Sequence, residues 1–190
     1  VGLMDMENGK PMQTDTIFRI YSMTKPITST AVLMLYEEGR FQLSDPITRF
    51  IPEFETIKVL EKGKLVPVTR PITIRDLLTH TSGLSYGFDE NLIDDMYRKD
   101  LWAVMDKNPP QSDEFIRILT KLPLAFQPGT AFRYSVATDV LGYLVQLVSG
   151  VPFDDYLQKN IFNPLGMLDT SFTIPDDKIN FAIGMFEQGV

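Results

Sequence analysis

Ser22 and Lys25 stand three residues apart in the run Phe18-Arg19-Ile20-Tyr21-Ser22-Met23-Thr24-Lys25-Pro26-Ile27. The run reads as a short apolar strand, a turn and the start of a helix. Residues three apart share one helix face, so the hydroxyl and the ammonium can meet. A serine hydroxyl is a poor nucleophile until a neighbour takes its proton. A lysine does so only when it is neutral for part of the time, and burial or nearby positive charge lowers its pKa toward that state. The helix N-terminus adds free N–H groups and partial positive charge, which suit a developing oxyanion. Ser-x-x-Lys alone also fits an ordinary helix start with a solvated lysine.

A second group suited to proton transfer is Tyr134, on the loop Gln127-Pro128-Gly129-Thr130-Ala131-Phe132-Arg133-Tyr134-Ser135-Val136. A phenol beside a lysine can lose its proton and serve first as base, then as acid. The bland alternative is a tyrosine that packs and bonds backbone. His80 could be a general base, but no nucleophile is near it in sequence, and the preferred reading is a turn histidine bonding local backbone. Asp94 and Asp95 are adjacent, point to different azimuths of a helix and are expected to be solvated rather than a catalytic pair.

Several elements must position these groups. Val1–Met6 is apolar-rich, Asn8-Gly9 signals a hairpin turn and Thr16–Tyr21 reads as its second strand. A helix is expected from Ser22 to Glu38, with Ile27, Ala31, Leu35 and Met23, Thr30, Met34 on adjoining buried rows. Gly39 stops it. Residues 55–71 read as loop with a short hairpin at Lys62-Gly63. Thr73-Ile74-Arg75-Asp76 resembles a capping box, and His80-Thr81-Ser82-Gly83 a turn. Helical spacing recurs over 89–107, with Leu92, Ile93, Met96, Tyr97, Leu101, Val104 and Met105 as core. It recurs from Ser112 to Leu122, after Tyr134-Ser135 up to Gly150, and from Pro152 to Phe162. Phe181–Phe186 reads as the start of a strand. Almost everything after the first two strands is helix and loop.

The chain has 190 residues, 44% of them hydrophobic, and a net charge of −7. That is enough to bury a core in one domain. The acidic balance and the lack of a basic stripe argue against a nucleic-acid binder. No run reaches the ~18 apolar residues of a membrane span, and no signal peptide is visible, so a soluble protein is expected. With no cysteine and the single histidine His80, disulfides, thiolate metal sites and a Ser-His-Asp triad are not to be expected. Serine chemistry then falls to a lysine or tyrosine base, and no cofactor is expected.

The Ser22-Met23-Thr24-Lys25 run with its flanks from Phe18 to Phe54 resembles the serine β-lactamase and penicillin-binding-protein superfamily. The nearest branch is class C-like and includes family VIII carboxylesterases and D-aminopeptidase-like hydrolases, from which a bacterial or archaeal origin is expected. Leu77-Leu78-Thr79-His80-Thr81-Ser82-Gly83-Leu84, Tyr134-Ser135-Val136, Pro164-Leu165-Gly166-Met167 and Thr170-Ser171-Phe172 continue the resemblance in order. It implies an α+β fold: an antiparallel sheet flanked by helices beside a mostly helical domain, of which this chain holds mainly the helical part and two strands. It also implies acyl transfer. Ser22 would be the nucleophile, with its backbone N–H as one oxyanion donor. Lys25 would ease its deprotonation, and Tyr134 would pass the proton to the leaving group.

Two departures qualify the resemblance. Val136 stands where lactamase-like members carry an asparagine that holds the substrate amide. A site without that partner loses selectivity for amides, which favours a short acyl ester over a β-lactam or a D-amino-acid peptide. The Lys-Thr-Gly or His-x-Gly strand is also absent; Lys62-Gly63 and Thr81-Ser82-Gly83 lie in the wrong place to replace it. Losing one oxyanion donor lowers the rate by about 10²–10³. Residues 1–190 are therefore expected to be a partial domain, without the N-terminal strand and helix and the C-terminal strands, that needs the remaining segment of the same fold. A penicillin-binding protein or a non-catalytic scaffold is the alternative of another class.

Overall fold

The structure is a computed structural model that describes residues 2–105 and 112–182. The chain forms two compact units. One joins the two ends of the chain, up to Thr24 and from Asp154 onward; the other runs from Lys25 to Phe153.

In the first unit, β1 (Leu3–Asp5) pairs antiparallel with β2 (Lys10–Pro11). The turn between them contains Gly9 at φ 63°, and the Asp5 carboxylate accepts from the Asn8 N–H at 3.1 Å. The hairpin is therefore present, but its second strand is Lys10–Pro11 rather than Thr16–Tyr21. Among the described residues the latter segment makes only an isolated parallel bridge, Ile17 with Ala182. A turn over Gln13–Thr16, with the Gln13 N–H bonded to Thr16 Oγ1 at 3.0 Å, precedes it. Of the strand expected at Phe181–Phe186, residues 183–186 lie outside the described residues.

A single 3₁₀ turn, Tyr21–Met23, leads straight into α1 (Thr24–Glu37). Pro26 sits in the first helical turn, where its missing N–H has no intrahelical partner to lose. Gly39 (φ 72°) ends the helix as expected. The buried face is Thr28, Ala31, Val32 and Leu35, whereas Met23 is 68% exposed. Ala31 and Leu35 are buried as expected, but the row beside them is Thr28 and Val32 rather than Met23, Thr30 and Met34.

The second unit also holds a hairpin. β3 (Lys58–Glu61) and β4 (Lys64–Pro67) form the expected hairpin in regular antiparallel register. Its turn residues Lys62 (φ 47°) and Gly63 (φ 78°) are both left-handed, as a tight hairpin turn requires. Leu124 docks beside it: its N–H donates to Lys58 O at 2.8 Å and its carbonyl accepts from Leu60 N–H at 2.9 Å. The two hairpins make four short strands among the described residues.

Thr73 caps α2 (Ile74–Leu78) with the complete capping box. The 89–107 helix is three pieces: α3 (Leu92–Tyr97), a π-type turn over Arg98–Trp102 and α4 (Ala103–Met105). Ile93, Tyr97 and Leu101 are buried, but Leu92, the first residue of α3, is exposed. α5 (Ser112–Leu119) buries Phe115, Ile116 and Leu119. α6 (Ala137–Ser149) buries Val140, Leu141, Leu144 and Val145 and packs on α2. Full burial of each such side chain contributes about 1.5–3 kcal/mol. α7 (Phe153–Leu157) runs into a π-type turn, Gln158–Phe162.

Candidate active site

Lys25 and Tyr134 come together in the second unit. Lys25 is the second residue of α1, where the first helical turn leaves its side chain half-buried. Tyr134 closes the loop that precedes α6. Pro128 and Gly129 (φ 83°) turn that loop, and backbone bonds then tie it to residues 80–85. Gly129 N–H donates to Thr81 O (2.7 Å), Arg133 N–H to His80 O (2.8 Å) and Val136 N–H to Ser85 O (3.3 Å). The Lys25 Nζ lies 4.8 Å from the Tyr134 ring centre and hydrogen-bonds the Tyr134 side chain.

A second phenol, Tyr86, shares the ammonium. Its ring centre is 5.2 Å from Lys25 Nζ, and the two tyrosine rings stack at 5.6 Å with 12° between their planes. Tyr86 also stacks on Trp102 (5.4 Å) and Phe88 (4.6 Å). The Trp102 indole N–H donates to Tyr86 O at 2.6 Å. Sequence reasoning missed Tyr86. The one available signal was its place three residues beyond the Thr81-Ser82-Gly83 turn.

The charge state of Lys25 differs from expectation. Burial lowers its pKa, but the Tyr134 hydrogen bond and the negative potential of Tyr86, Tyr134 and Asp139 outweigh it, so the ammonium is held above the ordinary lysine value. Burial and Asp139 push the Tyr86 phenol up, against the pull of Lys25. Asp139, in the first turn of α6, keeps much of its surface open, yet crowding by protein atoms raises its carboxyl, with Lys25 opposing.

His80, at φ 55°, sits in a turn with its N–H on the Leu77 carbonyl at 3.3 Å, and its ring reaches a distant segment. Its Nδ1 accepts from the Ser135 N–H at 3.3 Å and lies 3.3 Å from Ser135 Oγ, and its ring lies 5.0 Å from that of Tyr134. Burial first, then Lys25, lower its pKa, which keeps the imidazole neutral. Asp94 is not solvated. It is fully buried and accepts hydrogen bonds from Ser85 Oγ, Arg133 and the Asp89 N–H, while its neighbour Asp95 pairs with Arg98 at the surface. Burial raises the Asp94 carboxyl, but these donors together bring it below the usual range.

Ser22 belongs to the first unit. It is the exposed middle residue of the 3₁₀ turn, and its carbonyl accepts from the Thr24 N–H. The residue before it, Tyr21, is held at φ 43°. That is uncommon for a bulky side chain and is typical of strain stored at functional turns.

The Beta-lactamase family model matches residues 1–182. The chain is 40% identical to the esterase EstB of Burkholderia gladioli over 183 residues, which is 96% of this chain and 45% of EstB. It is 35% identical to the monacolin J acid methylbutanoyltransferase of Aspergillus terreus over 172 residues, 86% of this chain and 40% of that protein. Among solved structures, EstCE1, a hydrolase with promiscuous acyltransferase activity, superposes with a TM-score of 0.82 at 32% identity, covering 96% of this chain and 46% of EstCE1. The chain thus spans about half the length of the curated relatives it matches, which are bacterial and fungal. Among the described residues, no helix is long and apolar enough to cross a membrane.

Proposed function

Because the chain belongs to the beta-lactamase family, we propose that it carries the nucleophile and proton-relay residues of a serine hydrolase that works through an acyl-enzyme on short acyl esters. The observation that carries this reading is the contact of the Lys25 ammonium with Tyr134. A cation against a phenol stabilises the phenolate, which is the base a serine nucleophile needs when no histidine serves.

Ser22 Oγ attacks the acyl carbonyl carbon while its proton passes to the Tyr134 oxygen. Tyr134 then returns that proton to the departing alkoxide, leaving the acyl group on Ser22 and releasing the alcohol. Water repeats the sequence to release the acid. Lys25 holds the phenolate and the developing negative charge as a permanent cation. The Ser22 backbone N–H is one oxyanion donor.

An ester is favoured over a β-lactam or a D-amino-acid peptide. Val136 is fully buried and apolar, so it offers no hydrogen bond to a substrate amide. EstB, named as an esterase, supports the same choice. The greater length of the relatives supports reading residues 1–190 as part of a β-lactamase-like domain whose remaining segment supplies the second oxyanion donor.

The test is labelling with a fluorophosphonate probe, followed by peptide mapping and hydrolysis of p-nitrophenyl butyrate. Adduct on Ser22 and its loss in Ser22→Ala are expected. Equal labelling of Ser22→Ala would favour a scaffold without chemistry. A stable penicilloyl adduct with no ester turnover would favour a penicillin-binding protein.

A further inference from the structure

Tyr86 and Tyr134, the two phenols on Lys25, share a feature of their backbone. Each directly follows a residue of one buried polar network. Ser85 precedes Tyr86, Arg133 precedes Tyr134, and the two are joined: Arg133 Nε–H donates to Ser85 Oγ at 3.0 Å. Both converge on Asp94. Ser85 Oγ donates to Oδ1, and the Arg133 guanidinium donates to Oδ2 at 2.6 Å. The Asp94 side chain has no exposed surface, and that of Arg133 is 22% exposed.

The carboxylate is further held by the Asp89 N–H (2.8 Å) and the Asn91 amide (3.1 Å), both on Oδ2. The Asp94 backbone N–H donates to Asn91 Oδ1 at 3.0 Å, and Asn91 thereby caps α3. A buried ion pair is weak support for stability, because desolvation offsets most of the attraction. Its geometry is nevertheless specific, since both carboxylate oxygens accept hydrogen bonds from donors fixed on separate loops. Two loops distant in sequence are thereby locked at the residues next to the two phenols.

We propose that Asp94 and Arg133, bridged by Ser85, form a positioning clamp that sets the Tyr86 and Tyr134 rings against Lys25. None of the three touches the ammonium itself; they act through the backbone of the tyrosines. The proposal rests on the reading of Lys25 and Tyr134 as the proton-relay pair. A displacement of about 1 Å at such a pair lowers turnover by on the order of 10²-fold.

The test uses the chain labelled with 3-fluorotyrosine, with the resonances of residues 86 and 134 assigned by Tyr86→Phe and Tyr134→Phe. In Ser22→Ala protein, where no chemistry contributes, Lys25→Met is expected to shift both resonances. Asp94→Asn is expected to shift both, leave Tyr36 and Tyr143 in place, and abolish the further response to Lys25→Met. With Ser22 intact, Asp94→Asn is expected to lower kcat for p-nitrophenyl butyrate about 10- to 100-fold with KM within about threefold. Arg133→Lys keeps the charge but loses the Nε bond to Ser85. It is expected to act in the same direction, and it serves as the readout should Asp94→Asn fail to fold.

Unmoved resonances in a folded variant, with the Lys25→Met response retained, would overturn the clamp. Absence of Ser22 labelling in otherwise unaltered protein would instead overturn the hydrolase reading and leave the fluorine result standing.

Discussion

The Lys25 Nζ lies 4.8 Å from the centre of the Tyr134 ring, although the two residues belong to elements far apart in the chain. Tyr86 stands at nearly the same distance, 5.2 Å, and stacks on Tyr134. The ammonium therefore faces two phenols, and three ring contacts of Tyr86 restrict how they can move. A cation within about 6 Å of an aromatic face is attracted to it. Here the hydrogen bonds to the phenols add a directional component.

The two tyrosines are expected to separate by mutation. Tyr134→Phe removes the proton carrier and should lower hydrolysis of p-nitrophenyl butyrate by about 10²–10⁴. Tyr86→Phe keeps the ring stack and loses one hydrogen bond to Lys25, so a loss of about tenfold is expected. Initial rates of the two variants decide; a larger loss in Tyr86→Phe would exchange their roles.

The pH dependence follows from the direction of the Lys25 shift. A lysine held above its ordinary value stays cationic through neutral and mildly alkaline pH, so in that range the proton acceptor is a phenol rather than the amine. A phenol becomes a base as pH rises, and the rate of acylation should rise with it. Lys25→Met removes the cation that favours phenolate and should move the rise to higher pH. Burst kinetics from about pH 6 to about pH 10 test this, and a flat profile would argue against the relay.

The capping box at α2 offers a stability test. The Asp76 side chain is nearly buried and accepts two hydrogen bonds from Arg70, at 2.6 and 2.9 Å, as well as the Thr73 N–H at 2.8 Å. Burial raises its carboxyl, but Arg70 and Thr73 together bring it below the usual value. A carboxyl lowered in the folded state stabilises the protein above its unfolded pKa, and that contribution is lost as pH falls through the folded value. Asp76→Asn should cost about 1–3 kcal/mol at neutral pH. Urea midpoints of the two proteins should draw together below the ordinary aspartate value of 3.8. A gap that does not change with pH would refute the ionic share.

Gly83 is constrained in two ways. Its φ is 87°, and a Cβ there would stand 2.4 Å from the Phe126 carbonyl oxygen. Its own carbonyl accepts from Ala125 N–H at 2.7 Å, so the backbone cannot back away. Gly83→Ala is expected to destabilise by about 1–3 kcal/mol. Because this segment leads to Tyr86, activity should fall with it. A thermal midpoint equal to that of the unaltered protein would show that the turn can relax.

The local chemistry of the chain was legible wherever it is governed by neighbours in sequence. Gly39 ending α1, Lys62-Gly63 turning a hairpin, Thr73 with Asp76 capping α2 and Pro128-Gly129 turning the loop before α6 all follow from backbone sterics and short-range hydrogen bonds. Those forces act over a few residues, so residue order alone specifies them. Ser22 and Lys25 stand out as candidates by side-chain type and spacing, and Tyr134 by the motif that its loop resembles.

Tertiary structure decided what burial and long-range approach control. It put Tyr86 beside Lys25, buried Asp94 while leaving Asp95 in water, and turned His80 toward Ser135. It also raised the lysine where burial alone would have lowered it. Each outcome depends on which atoms from distant segments meet in a low-dielectric interior, where a hydrogen bond or a nearby charge outweighs the intrinsic preference of the group. Residue order names the groups, and packing sets their charge and their partners.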